Sequence, residues 1–287
     1  PAPGAVPEHA EPPASGLPGV VDTQWLAANL SRAGLRVVDL RSQPEYNTAH
    51  IPRSVCLSVE SFRGVVGGVS SMLLPVDVLA RHLSLMGIGP DDMLVFVPGG
   101  DKVHDATLTG MACERLAHTR YAVLDGGWAQ WQAEKRPTDT ALPDIRARVY
   151  PLRDAADTFT VDYRTVLTHL NRRDTTVIDV RPADYFTGKK SDEARAGHLP
   201  GAVNRPYTED LVKEGAVTRL KGVAELAAAY AALIPSKTAQ VIVHCRTGHQ
   251  ASQTFFVLKR LLGYTNVLWY DAGWSEWAAR PELPVEK

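Results

Sequence analysis

Several features that mark large protein classes are missing from this chain of 287 residues. Its 31 Lys and Arg residues are balanced by 32 Asp and Glu residues, so it offers no basic face for nucleic acid. No apolar run approaches the roughly 20 residues that cross a bilayer. Its three cysteines, Cys56, Cys113 and Cys245, are too few and too scattered for a disulfide framework or a zinc site. We therefore expect about two ordinary domains at ~150 residues each, with no nucleic-acid partner and no membrane span.

Residues 1–18 are rich in proline and lack the periodicity of a helix or a strand, which predicts a flexible lead-in. The sequence does not begin with Met, and no charged segment followed by an apolar stretch precedes the lead-in. A mature exported protein, a trimmed chain and a cytoplasmic chain without its Met are all compatible with this start. The extended Pro- and Ala-rich lead-in favours a periplasmic protein whose signal has been removed over a cytoplasmic one.

The chain contains an internal duplication, which is the most informative pattern in it. Three motifs return in the same order in the second half: V-V-D-L-R at 37–41 as V-I-D-V-R at 177–181, A-H-I-P-R-S-V at 49–55 as G-H-L-P-G-A-V at 197–203, and L-D-G-G-W-A-Q-W at 124–131 as Y-D-A-G-W-S-E-W at 270–277. The second half also carries a polar insertion at residues 188–196, for which we predict a surface loop.

Each half is predicted to alternate short strands and helices around a buried parallel sheet. The strands are apolar runs without polar alternation, as expected for parallel strands covered on both faces. They lie at residues 37–40, 94–97, 121–124, 177–180, 241–243 and 267–270. We therefore predict an α/β fold class with two similar domains, at 19–136 and 160–287, each a parallel sheet flanked by helices, joined by a proline-containing linker at 137–159.

Cys245 lies where the strand at 241–243 ends and before a helix that is predicted from Ala251. Open α/β sheets bind their ligands at this point, and backbone N–H groups at a helix N-terminus favour a thiolate. The corresponding first-half segment at 94–101 contains no cysteine, and Gly99, Gly100 or Asp101 is expected opposite Cys245. We therefore predict that the first half kept the scaffold and lost the nucleophile.

These motifs together resemble those of the tandem-domain rhodaneses, the thiosulfate sulfurtransferases and their relatives. The resemblance covers the chain from about Val20 to Lys287, and the motif H-C-R-T-G-H-Q-A-S at 244–252 adds to the repeated ones. It implies two rhodanese-like domains, the first inactive and the second with a cysteine that forms a persulfide. Cys245 matches that catalytic nucleophile, and the loop that wraps the persulfide corresponds to Arg246, Thr247, Gly248, His249, Gln250 and Ala251.

The implied reaction is nucleophilic catalysis in two half-reactions. The Cys245 thiolate attacks the outer sulfur of thiosulfate, and the resulting persulfide gives its sulfur to cyanide or to a thiol. The expected partners are therefore a small sulfur donor and a small acceptor, with a protein acceptor as a further possibility. We expect no metal and no cofactor beyond the covalent persulfide.

Two departures from the family pattern bear on the donor. Thiosulfate-specialised relatives carry two basic residues after the cysteine and mercaptopyruvate-using ones carry Gly-Ser-Gly, whereas this chain has Arg246 and Thr247. Asp184 precedes Tyr185 where many members have an arginine. Because the loss of that cation weakens the grip on a carboxylate, we expect thiosulfate as the donor, with 3-mercaptopyruvate as the alternative.

Two loop side chains have two open interpretations each. Arg246 either attracts the dianionic donor at the pocket rim or is a solvated charge. His249 either donates to the substrate or is a partly exposed loop histidine.

Asp179, Arg181 and Trp274 are candidate supporting residues. Asp179 and Arg181 match the family's D-x-R pair, and a role in holding loops is favoured over a catalytic one because the inactive half repeats the pair. Trp274 is expected to pack in the core and is a candidate for the pocket wall.

Three rival functions are weighed against sulfur transfer. A cysteine phosphatase or arsenate reductase needs an arginine six positions after the cysteine, where this chain has Ala251. A cysteine peptidase needs a base and an orienting residue that nothing in the chain assigns. A persulfide carrier that serves a partner protein would use the same Cys245, so it stays open.

Overall fold

The computed structural model describes residues 17–153, 157–170, 172 and 174–287. Our predicted lead-in therefore falls mainly outside the described residues. Leu17, which we assign to the lead-in, is fully buried in the first domain, so packing begins before residue 19. Within the described part of the chain, no helix is long and apolar enough to cross a membrane.

The first half forms seven strands and five helices in the described residues. In chain order they are β1 (Val20–Val21), α1 (Thr23–Asn29), β2 (Leu35–Asp39), α2 (Gln43–Thr48), β3 (Val55–Cys56), β4 (Arg63–Val66), β5 (Val69–Leu73), α3 (Val76–Leu85), β6 (Met93–Val97), α4 (Val103–Arg115), β7 (Tyr121–Leu124) and α5 (Gly127–Ala133), with a 3-10 turn at Val59–Phe62.

The second half repeats this order from α1 onward. Its elements are α6 (Tyr163–His169), β8 (Thr175–Asp179), α7 (Ala183–Phe186), β9 (Val203–Asn204), β10 (Leu211–Glu214), β11 (Val217–Leu220), α8 (Val223–Ala231), β12 (Gln240–His244), α9 (His249–Phe256), β13 (Val267–Trp269) and α10 (Gly273–Ala279), with a 3-10 turn at Tyr207–Asp210 and a π-helical extension of α9 at Val257–Leu261. Even the first helix caps match, because Asp22 and Asp162 each accept a backbone N–H three residues on.

Each half has one parallel sheet with helices on both faces, which confirms the predicted α/β architecture. The strand orders are β1-β7-β6-β2-β3 and β13-β12-β8-β9, and every neighbouring pair is parallel. A parallel bridge from Thr160 to Trp269 takes the place of β1 in the second sheet. The central strands β6 and β12 are almost wholly buried, as their apolar runs at 94–97 and 241–243 predict.

Two antiparallel hairpins, β4–β5 and β10–β11, were not predicted from the sequence. Strands β4, β5 and β10 are largely half-buried or exposed, and none of the four strands has a clean apolar alternation, so they carry little of the signal on which strand prediction depends. The first hairpin turns at Gly67 and Gly68, both of which have positive φ.

One hydrophobic cluster spans the two domains, and each domain also has a cluster of its own. Helices α4 and α9, which each follow the turn after a central strand, are packed against one another. Their contact includes a buried hydrogen bond, 2.8 Å long, between the hydroxyls of Thr107 and Ser252. Because the interface runs through these helices, the two turns face a common boundary.

The predicted linker packs along the first domain over its described residues. Asp139 forms a bridge to His50, and Arg148 contacts Asp92 at 2.7 Å. The buried hydroxyl of Tyr150 lies 2.7 Å from Nδ1 of His118. The linker therefore anchors to the first domain before it enters the second.

Candidate active site

The backbone identifies the first-domain counterpart of Cys245 as Pro98. The carbonyl of Cys245 accepts the N–H of Trp274 at 2.9 Å, and the carbonyl of Pro98 accepts the N–H of Trp128 at 3.0 Å. Since Trp128 and Trp274 are equivalent in the repeat, our expectation of a counterpart at 99–101 is wrong by one residue or more. Proline has neither a thiol nor an N–H, so the first turn lacks the nucleophile.

The Cys245 thiol lies in a cradle of backbone donors. The N–H groups of Ala251, Thr247 and Gln250 all point to the sulfur. The residue is only 1% exposed. Burial raises the pKa of the Cys245 thiol, and the three N–H groups oppose that rise because they stabilise a negative sulfur. The three N–H groups therefore offset part of the cost of burying a negative sulfur.

Two glycines with positive φ make the cradle possible. Gly248, at φ +74°, ends the turn, and an added Cβ there would lie 2.4 Å from Oδ1 of Asp271. Gly273, at φ +56°, begins α10, and its Cβ would lie 2.5 Å from the carbonyl oxygen of Cys245. Both positions need glycine for conformation and for space.

A pocket of about 300 Å³ opens beside the thiol. All the predicted loop residues except Gly248 and Ala251 line it, and the buried Trp274 forms part of its wall, as predicted. The lining residues are His104, Arg181, Pro182, Tyr185, Ser191, Asp192, Glu193, Cys245, Arg246, Thr247, His249, Gln250 and Trp274.

The insertion at 188–196 is part of this pocket, which the sequence analysis missed. Its polar composition indicated only a surface loop, yet Ser191, Asp192 and Glu193 line the cavity. Arg195 fastens the insertion to the end of the chain. Its guanidinium donates at 2.6 to 3.0 Å to the carbonyls of Trp277, Ala278, Arg280 and Leu283.

The side chain of Arg246 is partly exposed and forms an ion pair. Its Nε donates to Oε1 of Glu193 at 2.6 Å, while its side chain remains 52% exposed. The pairing raises the pKa of Arg246 further above its already high range. The residue that is one candidate for attracting an anionic donor therefore already has an anionic partner from the insertion.

His249 is held from both sides by the first domain. Its Nε2 lies 2.8 Å from Oδ1 of Asp105, and its Nδ1 lies 3.4 Å from the guanidinium of Arg63. Arg63 also donates to the carbonyl and hydroxyl of Thr247, at 2.9 and 3.0 Å. No sequence motif indicates these first-domain residues, because they lie more than 130 positions from the loop that they contact.

His104, Asp105 and His249 could hold a metal ion, since one donor atom of each lies within 4.8 Å of the others. Burial and the neighbouring His249 lower the pKa of His104 to about 4. Metal-bound histidines normally donate their second ring N–H to an acceptor, however, and here that side of His249 faces the Arg63 guanidinium. The absence of a metal from the reaction stays a prediction.

Asp179 and Arg181 hold the frame of the pocket. Arg181 donates to Asp179 at 2.6 Å and to the carbonyl of Gly197 at 2.8 Å. Burial alone would raise the pKa of Asp179, but His244 and Arg181 lower it. Arg41 makes the equivalent bonds in the first domain. This pairing is consistent with the predicted role of the two residues in holding loops.

The other two cysteines lack the cradle. Burial raises the pKa of Cys56 to about 11 and raises that of the fully buried Cys113 further. Cys113 lies within α4, where its thiol packs in the shared core. Both are consistent with the structural role that we predict for them.

The chain belongs to the family of rhodanese-like domains. The family model matches it twice, at residues 22–134 and 163–280, which agrees with the two halves of the fold. The predicted family is thereby confirmed.

Individual relatives carry the names of sulfurtransferases. The thiosulfate sulfurtransferase of Corynebacterium glutamicum is 30% identical over 281 residues, 93% of this chain and 90% of that protein. A putative thiosulfate sulfurtransferase of Synechococcus elongatus is 31% identical over 269 residues, 91% of this chain and 83% of that protein. The solved structure of Escherichia coli SseA, a 3-mercaptopyruvate sulfurtransferase, is similar with a TM-score of 0.75 at 26% identity, over 90% of this chain and 99% of that one.

Proposed function

We propose that the protein transfers sulfur from thiosulfate, through a persulfide on Cys245, to cyanide or a thiol. The observation that carries the proposal is the convergence of three backbone N–H groups on a buried thiol at the wall of a pocket. The same donors that stabilise the thiolate are placed to stabilise the persulfide anion.

In the first half-reaction, the Cys245 thiolate attacks the outer sulfur of thiosulfate. The new S–S bond forms as the donor's S–S bond breaks, and sulfite leaves with the electron pair. In the second, cyanide or a thiolate attacks the outer sulfur of the persulfide, and Cys245 leaves as the thiolate. No net oxidant or reductant is needed, so the two steps close a ping-pong cycle.

The shape of the turn favours a single sulfur over a tetrahedral oxyanion. A phosphatase would fold a guanidinium back over the site from position 251, where this chain has the fully buried Ala251. Phosphatase turnover without thiosulfate:cyanide activity would contradict the proposal.

Thiosulfate is favoured over 3-mercaptopyruvate by the charges near Tyr185. Asp184 stands where an arginine would hold a carboxylate, and it pairs with Lys190 at 3.1 Å. Arg181, which lines the pocket, is bonded to Asp179 and Gly197. Rates measured with the two donors under the same conditions will decide between them.

Intact-mass measurement after thiosulfate treatment is the direct test. We expect one added sulfur per chain, located on Cys245 by peptide mapping and removed by cyanide. No adduct, or an adduct on Cys56 or Cys113, would refute the mechanism.

A persulfide carrier for a partner protein is the second candidate, because the buried persulfide would suit storage as well as turnover. Sustained turnover with cyanide or small thiols supports the enzyme. Persulfide formation followed by release only to a protein acceptor would support the carrier.

A further inference from the structure

The pocket beside Cys245 contains two guanidinium groups among its lining residues. The two groups differ in solvent exposure and in the groups to which they are bonded. The side chain of Arg181 is 5% exposed and is bonded to Asp179 and to the carbonyl of Gly197. The side chain of Arg246 is 52% exposed and is adjacent to the nucleophile in sequence. Arg246 is therefore the cation that an incoming anionic donor can reach.

Glu193 is positioned to compete for that cation. Its side chain is 19% exposed, and its carboxylate meets Nε of Arg246 at 2.6 Å. The insertion that carries it is held in place, since the hydroxyl of Ser191 donates to the carbonyls of Glu193 and Arg195 at 3.0 and 3.1 Å. The four carbonyl contacts of Arg195 fix the other end. The carboxylate is thus built into the pocket wall.

We propose that Glu193 is a specificity-determining residue, which holds Arg246 and so lowers the affinity of the pocket for small dianionic sulfur donors. The Glu193 carboxylate occupies Nε of Arg246 and offsets its charge, so a dianion gains less from this guanidinium. The carboxylate of Asp192 in the same wall repels the dianion further. The pocket therefore binds thiosulfate less tightly than it would with an unpaired Arg246. This inference rests on the proposed function, because it concerns the donor of the Cys245 reaction.

Steady-state kinetics of the Glu193→Gln variant test the inference. Glutamine keeps the size of the side chain and removes its charge. We expect the KM for thiosulfate to fall by about fivefold at low salt, with kcat changed less, because the pair is partly exposed and its loss affects donor binding more than bond breaking. The difference between the variant and the parent should shrink at high ionic strength.

Two comparisons separate the ion pair from the general charge of the wall. Asp192→Asn removes the same charge from the neighbouring residue of the same loop, and it should lower KM less than Glu193→Gln. In an Arg246→Gln background, Glu193→Gln should have little further effect on KM, because its partner is already absent.

Three results would overturn the inference: an unchanged KM in Glu193→Gln, an equal fall in Asp192→Asn, or an undiminished effect in the Arg246→Gln background. Failure of the proposed function is distinguishable from these, since it would appear as the absence of a thiosulfate-derived persulfide in the parent protein.

Discussion

The turn after β6 and the turn after β12 occupy the same place in two copies of one scaffold, yet only the second carries a thiol. Pro98 and Cys245 each accept the N–H of an equivalent tryptophan, so the backbone frame is shared. Helix α9 begins four residues after Cys245, at His249, whereas α4 begins five residues after Pro98, at Val103. The two loops therefore differ by one residue in length and in sequence, with P-G-G-D-K at 98–102 and C-R-T-G at 245–248, and only the second contains a thiol.

The first turn has not simply lost a function. The start of its helix supplies His104 to the pocket wall and Asp105 to His249 of the second domain. The adjacent hairpin supplies Arg63 to Thr247. The first domain therefore supports, across the interface, the turn that carries Cys245.

Replacement of the nucleophile should have the largest effect. We expect Cys245→Ser to abolish thiosulfate:cyanide activity, because the serine hydroxyl is not ionised at neutral pH and forms no persulfide. Cys56→Ser and Cys113→Ala should keep most of the parent's kcat in the same assay. Substantial activity in Cys245→Ser would remove the distinction between the two turns.

The equivalent residues Gly127 and Gly273 test whether the backbone geometry of the turn matters more for activity in one domain than in the other. A Cβ at Gly273 would meet the carbonyl oxygen of Cys245 at 2.5 Å, and one at Gly127 would meet that of Pro98 at 2.3 Å. Alanine at either position should destabilise the fold by about 1–3 kcal/mol, measured by denaturant unfolding.

Activity should separate the two variants. We expect Gly273→Ala to lose at least tenfold in kcat/KM, since it displaces the turn that holds the thiol, while folded Gly127→Ala keeps near-parent activity. An equal loss in both variants would show that the first frame is as critical as the second.

The pH dependence of persulfide formation tests whether burial or the N–H donors dominate the pKa of Cys245. Burial raises the pKa of this thiol, and Asp179 adds a smaller rise. The three N–H donors lower the pKa and so oppose both effects. A raised pKa leaves less thiolate at neutral pH, so the single-turnover rate should rise with pH, by up to about tenfold per unit below the pKa. Quenched-flow intact-mass measurements at pH 6 to 9 check this. A flat profile would mean that the N–H donors outweigh burial.

Removal of the first-domain contact to Thr247 should have the smallest effect on activity. Arg63→Gln removes charged donors to Thr247, and we expect a fall in kcat/KM of about threefold to tenfold with persulfide stoichiometry retained. Arg36→Gln is a control, because Arg36 is a first-domain cation bonded to Asp92. Equal losses in the two variants would argue against a specific role for Arg63.

Strong local signals explain what could be predicted. The apolar strands around 94–97 and 241–243, the repeated D-x-R and tryptophan motifs, and the cysteine before a helix are all short-range patterns, and the structure has each of them. The hairpins were missed because their half-exposed strands lack such a pattern.

The order of residues along the chain was by itself enough to determine two copies of an α/β scaffold and one cysteine at the end of a central strand. Only the tertiary structure showed that Pro98 is its counterpart, that Glu193 holds Arg246, and that Asp105 and Arg63 reach the loop from the other domain. The physical reason is the separation along the sequence of the residues that are in contact. Strand, helix and turn preferences act between near neighbours, whereas these contacts form only after two domains and an insertion have packed around one core.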